Sequence, residues 1–234
     1  MNSHRSDKIP DWEKIDPSEW NAYQKRAAET NGWDTPGNRE SAKGFIASSL
    51  GVVALHQEKY FAATGLLLYG RLKDLKDGKR SDETGTKSPK GEGVDAGIDK
   101  ALMAMILPVL YEKGIVNEYE LAALIAQHGG SAILTGIAKI NDKEMHPSKP
   151  GKISTGLEWG AIGIGVVGKG FKKLGFSMTA DIFETVEKIT MTAGLGLGAV
   201  ATVGYARDAF GLNDSVEQQP IESMTIDLVP EIAQ

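Results

Sequence analysis

Six apolar runs, separated by clusters of charged residues, constrain the fold of this chain more than any other feature of its sequence. They are Gly44–Gln57, Tyr60–Gly70, Ala101–Tyr111, Leu121–Ala138, Trp159–Gly168 and Ile189–Ala206. Most are too long for ordinary strands and are rich in Ala, Leu, Ile, Met and Gly, so they predict six helices. Only two contain the ~18 uncharged residues that indicate a membrane span by hydropathy alone. Hydropathy therefore slightly favours a soluble six-helix bundle.

Composition agrees with a soluble protein. Charged residues make up 24% of the chain, which is ordinary for a globular protein. The absence of cysteine excludes disulfides, a cysteine nucleophile and a thiolate metal site. A net charge of -5 gives no general reason to expect a nucleic-acid partner.

The placement of basic residues points instead to a membrane. Alternate connections are basic, as the positive-inside rule predicts for six spans with both termini in the cytoplasm. The fifth connection, with Lys169 and Lys172, departs from this alternation. The basic residues of the lead and of the second and fourth connections are Arg26, Arg39, Lys43, Lys73, Lys76, Lys79, Arg80, Lys87, Lys90, Lys139, Lys143, Lys149 and Lys152.

The polar segment 1–34 precedes a helical domain over residues 35–210 and an acidic tail, expected to be mobile, over residues 211–234. Asp16 followed by Pro17 predicts a helix start, because Asp caps helices and Pro suits their first turn. Trp12, Trp20 and Trp33 are spread among the charged residues of this segment. They fit an N-terminal amphipathic helix at a membrane interface, and equally well a helix packed on a globular core.

Four aspartates lie in two pairs between the second and third runs. Asp74 and Asp77 are three residues apart, and Asp95 and Asp99 are four apart, so each pair projects from one face of a helix. If the two helices pack antiparallel, the carboxylates converge and repel one another unless they bind hard divalent cations. The alternative is a set of solvated helix ends with Asp95 as a cap. The joint spacing of all four disfavours that alternative.

This stretch resembles the signature of the CDP-alcohol phosphatidyltransferases, D-x2-D-G-x2-A-R-x8-G-x3-D-x3-D. The chain departs from it at the Ala-Arg, where Ser81-Asp82 stands, and Asp82 should weaken anion binding there unless Arg80 or Lys79 substitutes. The matching positions are Asp74, Asp77, Gly78, Gly91, Asp95 and Asp99. Further similar elements are Thr35-Pro36-Gly37-Asn38, Asp99-Lys100, Thr135-Gly136 with Lys139, and Gly151-Lys152 with Thr155.

The resemblance implies an all-α fold, a six-helix transmembrane bundle in the cell membrane with its active site facing the cytoplasm. Such enzymes transfer a phosphatidyl group from a CDP-linked lipid, such as CDP-diacylglycerol, to the hydroxyl of a small alcohol and release CMP. They use Mg²⁺ or Mn²⁺. By resemblance, Asp74, Asp77 and Asp95 hold two metal ions, while Asp99 completes the metal cluster and is the general base for the attacking hydroxyl.

Glycerol 3-phosphate is the favoured acceptor, with inositol phosphate, serine and other polyols left open. Lys139, Lys149 and Lys152 predict a phosphate site, although a loop facing solvent or lipid headgroups would carry similar residues. The other residues expected to contact substrate are Asn38, Gly78, Arg80, Gly91 and Lys100. His128, inside an apolar run, is expected to be a hydrogen-bonded buried residue rather than part of the acceptor pocket.

Two non-catalytic alternatives stay open. The first is a degenerate family member that binds a nucleotide lipid or a partner without transfer. The second is a soluble helical bundle whose aspartates form a structural metal or nucleotide site. A homodimer through the last spans is a further expectation, and membrane lipids rather than nucleic acid are the expected surroundings.

Overall fold

The computed structural model describes residues 11–87, 89–141 and 148–211, and all of the regular secondary structure within them is helical. The seven α-helices are α1 (Ala22–Glu29), α2 (Pro36–His56), α3 (Tyr60–Thr84), α4 (Pro89–Glu112), α5 (Glu118–Ile140), α6 (Lys149–Lys173) and α7 (Ser177–Phe210). The six apolar runs fall within α2 to α7, almost completely, as predicted. Each of these helices is longer than its run because it also includes charged residues.

The N-terminal segment begins differently from the prediction. The Asp16 carboxylate does accept a hydrogen bond from the Ser18 amide at 2.8 Å, but it caps only a three-residue 3-10 turn. The α-helix starts at Ala22, where Asn21 and Gln24 form a capping box. This cap satisfies donors on both sides of the helix start, which explains why the helix begins there.

Helix α1 packs against the C-terminal end of α3. Asn21 Nδ2 donates to the Thr84 carbonyl oxygen at 3.1 Å, and Gln24 Nε2 donates to that of Gly85 at 3.2 Å. Gly85 ends α3 with a φ of 61°, the left-handed conformation that glycine adopts without strain. The contact places α1 beside the end of the helix that carries Asp74 and Asp77. The predicted interfacial location of this segment stays a prediction.

Helices α2 and α3 approach most closely where two glycines meet. A Cβ atom on Gly44 would lie 2.9 Å from the Gly70 carbonyl oxygen, and one on Gly70 would lie 2.8 Å from the Gly44 carbonyl oxygen. The Ser48 hydroxyl fills the remaining space beside Gly70. Because Asp74 follows Gly70 by one helical turn, this crossing fixes the position of the α3 aspartates relative to α2.

The apolar core lies between helices α2 to α7. Its largest fully buried apolar side chains are Leu55, Ile106, Leu110, Leu124, Ile162 and Met191. These side chains come from several helices. Their burial stabilises the bundle, because burying one large aliphatic side chain contributes roughly 1.5–3 kcal/mol to the free energy of folding.

Two helices of the described part are long and apolar enough to cross a membrane: residues Glu118–Ala138 of α5, and α7. Only 11% and 22% of their most apolar windows are buried inside the bundle. The core helix of a soluble bundle would be mostly buried, so these helices instead present apolar surface outward. Large exposed apolar side chains also occur on other helices, among them Ile46, Leu50, Val53, Phe61, Leu68, Leu72 and Leu75.

Candidate functional site

The structure brings the four predicted aspartates together from two helices. Asp74 and Asp77 stand in the C-terminal half of α3, and Asp95 and Asp99 stand in the N-terminal half of α4. One side chain contacts both Asp77 and Asp95, and another contacts both Asp74 and Asp99. This order is the one expected of antiparallel helices.

Ser41 of α2 joins Asp77 and Asp95. Its hydroxyl oxygen lies 2.8 Å from Asp77 Oδ2, 2.8 Å from Asp95 Oδ1 and 3.2 Å from the Gly37 carbonyl oxygen. A hydroxyl has one proton to donate, so it cannot satisfy three oxygen acceptors. The surplus of negative oxygen atoms at this point calls for a proton or a cation.

Arg71 of α3 joins Asp74 and Asp99. Its Nη1 atom donates a hydrogen bond to Asp99 Oδ1 at 2.7 Å and lies 3.0 Å from Asp74 Oδ2. The guanidinium also sits over the Trp159 ring of α6, 5.0 Å from its centroid. Such a cation–π contact stabilises the charge and fixes its position. Arg71 therefore links the aspartates to α6.

The donor chemistry of the cluster fits a hard divalent cation. Carboxylate and hydroxyl oxygens are the ligands that Mg²⁺ and Mn²⁺ prefer, and the single proton of the Ser41 hydroxyl faces two carboxylate oxygens. Within residues 11–87, 89–141 and 148–211, however, no group of three or more acidic or histidine side chains is arranged to hold one ion. The carboxylates are arranged as two bridged pairs.

The two signature glycines lie on the same helices as the aspartates. Gly78 follows Asp77 in α3, and a Cβ atom there would meet nothing within 4 Å. Gly91 falls in the first turn of α4. The open space at Gly78 leaves room for a ligand beside Asp77, which agrees with the predicted role of this glycine without testing it.

An acid facing solvent occupies the position of the family arginine. The Asp82 side chain is 65% exposed, and its Oδ1 lies 3.7 Å from Lys87 Nζ. Arg80, the predicted substitute, is also exposed and lies 3.6 Å from Glu83. In the described part of the chain neither Asp82 nor Arg80 has an ion pair with the four aspartates. Arg71 is instead the arginine in direct contact with them.

The loop before α2 is fixed by polar contacts. Asn38 Nδ2 donates to the Trp33 carbonyl oxygen at 2.9 Å. Hydrogen bonds from Arg39 and Arg26 hold the pKa of Asp34 well below its usual range. The amide nitrogen of Asn38 thus anchors the loop, and its predicted contact with substrate stays a prediction.

The lysines predicted to bind substrate occupy exposed positions. Lys149 and Lys152 lie at the start of α6, which Ser148 caps through a 3.1 Å hydrogen bond from the Gly151 amide. Lys100 follows Asp99 on α4 and is exposed. Lys139 lies near the end of α5, and its side chain is outside the described residues.

An apolar groove of about 480 Å³ runs between α3 and α6 and reaches the aspartate cluster at Arg71. Its lining is mainly aliphatic and aromatic, with Trp159 beside Arg71 at the polar end. The other residues that line it are Thr64, Leu67, Leu68, Leu75, Gly156, Gly160, Ile162, Gly163, Ile164, Val167 and Phe183. The groove thus joins an apolar surface to a charged site.

A second buried polar cluster connects α5, α6 and α7. The fully buried Glu158 accepts hydrogen bonds from Ser154 Oγ at 2.6 Å and from Gln127 Nε2, and lies 2.8 Å from His128 Nε2. Ser154 Oγ also lies 2.8 Å from the Gly194 carbonyl oxygen of α7. His128 is therefore hydrogen-bonded, as predicted, but it is only partly buried, since its side chain is 21% exposed.

The comparisons with known proteins place this site in a family. The family model for CDP-alcohol phosphatidyltransferase matches residues 41–200, about two-thirds of the chain, including all four aspartates. The chain belongs to the CDP-alcohol phosphatidyltransferase family. This is a family of transferases for substituted phosphate groups, which use a CDP-alcohol and an acceptor alcohol, generally depend on a divalent metal and are typically integral to membranes. No curated protein and no solved structure matches the chain.

The resemblance noted from the signature is thus confirmed over residues 41–200, a range that begins at Ser41 and leaves Thr35-Pro36-Gly37-Asn38 outside the match. The signature missed three residues that the fold brings to the aspartates: Ser41, Arg71 and Trp159. Arg71 left a signal in the sequence, since a basic residue three positions before Asp74 lies on the same helical face. Ser41 and Trp159 left none, because their contacts cross between helices.

Proposed function

We propose that this protein transfers a phosphatidyl group from CDP-diacylglycerol, or a related CDP-linked lipid, to the hydroxyl of glycerol 3-phosphate and releases CMP. The observation that carries the proposal is the meeting of Asp74, Asp77, Asp95 and Asp99 from two helices, inside the region that matches the family. Aspartates assembled in this way suit a diphosphate substrate with divalent metal.

In this proposal Asp74, Asp77 and Asp95 would hold two Mg²⁺ or Mn²⁺ ions, and Asp99 would complete the set of metal ligands. When bound, the metal neutralises the diphosphate and stabilises the CMP leaving group. The sharing of one Ser41 proton by two carboxylates supports this assignment for Asp77 and Asp95. Helices carry all the proposed ligands, which supports a preorganised site.

Asp99 takes the proton of the attacking hydroxyl. The acceptor oxygen forms a bond to the phosphorus that carries the lipid, the bond from that phosphorus to the CMP oxygen breaks, and the proton passes to the Asp99 carboxylate. The hydrogen bond from Arg71 orients this carboxylate before the acceptor binds. A correctly positioned general base typically contributes a factor of about 10²–10⁴ in rate.

The apolar groove between α3 and α6 supports a lipid-linked substrate. Its aliphatic lining suits acyl chains, and its polar end lies at Arg71, which contacts Asp74 and Asp99. An amphiphile seated there would have its acyl chains along the groove and its charged group near the aspartates. That placement matches the chemistry of a CDP-linked lipid.

Glycerol 3-phosphate as acceptor is supported by the basic residues near the start of α6. The exposed Lys149 and Lys152 would pair with its phosphate, together with Lys139. Asn38, Gly78, Arg80, Gly91 and Lys100 complete the proposed substrate contacts. Serine, inositol phosphate and other polyols are the competing acceptors, and a binder without transfer is the competing function.

We place the protein in the cell membrane as a six-span bundle formed by α2 to α7, with the aspartates on the cytoplasmic side and α1 near the interface. The outward apolar surfaces of α5 and α7 support the membrane location. The basic connections at the aspartate end support the orientation. Association into a homodimer through the last helices is part of the same proposal.

Two measurements test this function. Fractionation of expressed cells should place the protein in membranes and require detergent for extraction. The purified protein should then be incubated with CDP-diacylglycerol, Mg²⁺ or Mn²⁺, and a panel of alcohols while CMP is measured. Release of CMP that is fastest with glycerol 3-phosphate is expected. Faster release with another alcohol would overturn the acceptor assignment, and the absence of release with every alcohol would favour the non-catalytic binder.

A further inference from the structure

We propose that Arg71 binds the diphosphate of the CDP-linked lipid and supplies positive charge that the exposed residues Arg80 and Asp82 do not bring to the aspartates. The assignment deepens the function proposed above and rests on it, because it requires that the chain bind a CDP-linked lipid. Its grounds are the contacts of Arg71, its place at the end of the apolar groove and the orientation of Asp82.

The two basic residues just before the position of the family arginine, Lys79 and Arg80, lie beside Glu83 and have no ion pair with the four aspartates in the described part of the chain. Asp82 stands in its place, is 65% exposed and lies beside Lys87. Arg80 is 55% exposed and lies beside Glu83. A dianionic diphosphate next to four carboxylates needs compensating positive charge besides the metal ions. Arg71 is a cation already in contact with the cluster.

Arg71 also has hydrogen-bonding capacity to spare. Its contacts with Asp74 and Asp99 both use Nη1, and its face lies over Trp159. A guanidinium has five N–H donors in a planar fork, so Nη2 and Nε keep donors that no described residue of the chain accepts from. Such a fork is well suited to bind phosphate oxygens in a bidentate manner.

The position of Arg71 matches the junction between the two halves of an amphiphilic substrate. The residue lines the polar end of the groove, and its side chain is 23% exposed, so a ligand can reach it. Trp159 holds the guanidinium from the α6 side. With acyl chains along the groove, the diphosphate lies at Arg71 and next to the aspartates.

The test is the dissociation constant of CDP-diacylglycerol, measured in detergent at saturating Mg²⁺ without an acceptor alcohol. Arg71→Met should raise this constant by about ten- to a hundred-fold, the loss expected for charge-assisted hydrogen bonds. Arg71→Lys, which keeps the charge but loses the fork, should give a smaller rise. Diacylglycerol, which lacks the diphosphate, should bind equally well to all three proteins. Arg207→Met, at an exposed arginine of α7, is the matched control and should change neither constant.

The possible outcomes separate three roles. If Arg71 only neutralises Asp74 and Asp99, Arg71→Met at saturating Mg²⁺ will bind CDP-diacylglycerol as tightly as the unaltered protein, which overturns the proposal. Equal weakening of both lipids indicates a purely structural role and also overturns it. If Arg71→Met does not fold, the same comparison of the two lipids is made between Arg71→Lys and the unaltered protein. A natural protein that binds CDP-diacylglycerol no better than diacylglycerol contradicts the proposed function itself.

Discussion

Asp77 and Asp95, on different helices, share one hydroxyl group: each carboxylate has an oxygen 2.8 Å from Ser41 Oγ. One proton cannot serve both carboxylates, so the pair is held together at an electrostatic cost. That cost is removed when a cation binds or when one carboxylate loses its charge. The metal dependence of stability should therefore report directly on this relationship.

Replacement of Asp95 by Asn should make the metal-free protein more stable and insensitive to metal. The amide can donate to Ser41 while Ser41 donates to Asp77, and the repulsion between the carboxylates is removed. Natural protein in Mn²⁺ at about 100 times its dissociation constant should gain about 2.7 kcal/mol of stability for each ion bound. The measurement is thermal unfolding in detergent with chelator and with Mn²⁺. Asp82→Asn, an exposed acid on α3, should keep the full metal response; loss of that response in both variants would point to nonspecific metal binding.

Asp99→Asn should abolish transfer while it largely preserves metal binding. The amide cannot accept the proton of the acceptor hydroxyl, so CMP release should fall by about 10²–10⁴-fold. Mn²⁺ should still raise the unfolding temperature, because Asp74, Asp77 and Asp95 are unchanged. Undiminished turnover would exclude Asp99 as the base.

Asp82→Arg should retain or raise CMP release. The change restores the family arginine and replaces an exposed acid by a cation, which favours the binding of an anionic substrate. Initial rates at low CDP-diacylglycerol concentration give the comparison. A fall in activity below that of the natural protein would argue against the alignment of Ser81-Asp82 with the family Ala-Arg.

Gly70→Ala should destabilise the protein by about 1–3 kcal/mol and reduce activity. The new methyl group would meet the Gly44 carbonyl oxygen and the Ser48 hydroxyl, which forces α2 and α3 apart. Gly65→Ala on the same helix is the control, since a Cβ atom there meets nothing within 4 Å. That control should be neutral or slightly stabilising. Equal unfolding temperatures for the two variants would contradict the close crossing.

Ser154→Ala should destabilise the bundle more than loss of an ordinary hydroxyl. Ser154 is buried and contacts both Glu158 and the Gly194 carbonyl oxygen, so the change leaves buried acceptors unsatisfied, at a cost of about 1–3 kcal/mol. Thr190→Ala removes an exposed hydroxyl that bonds only to its own helix, and should change stability by less than about 0.5 kcal/mol. Chemical unfolding in detergent measures both, and similar effects would rule out a stabilising role for the Glu158 cluster.

The sequence predicted the helices better than it predicted their ends. The run that starts at Gly44 belongs to a helix that starts at Pro36, and the run that ends at Gly70 belongs to a helix that ends at Thr84. Hydropathy detects the apolar part of a helix, whereas the rest consists of charged residues whose helical state depends on capping and on neighbouring helices. The prediction of a helix start at Asp16 was wrong for the same reason. The α-helix begins after Asn21, which forms a capping box with Gln24.

The aspartate site was predictable because its spacing follows the helical repeat, and a signature records that spacing. The residues that join the aspartates were not. Ser41 and Trp159 reach the cluster from α2 and α6, and their positions depend on how the helices cross. Crossing geometry depends on contacts such as Gly44 with Gly70, which no periodicity within one helix encodes.

The most direct test of the proposed function is the product formed from CDP-diacylglycerol and glycerol 3-phosphate in the presence of Mg²⁺. The natural protein should produce equal amounts of CMP and of the phosphatidylated acceptor, and Asp77→Asn should produce neither at a measurable rate. Both products should disappear on addition of a chelator and return with Mg²⁺. Equal CMP release by the natural protein and by Asp77→Asn would contradict the account.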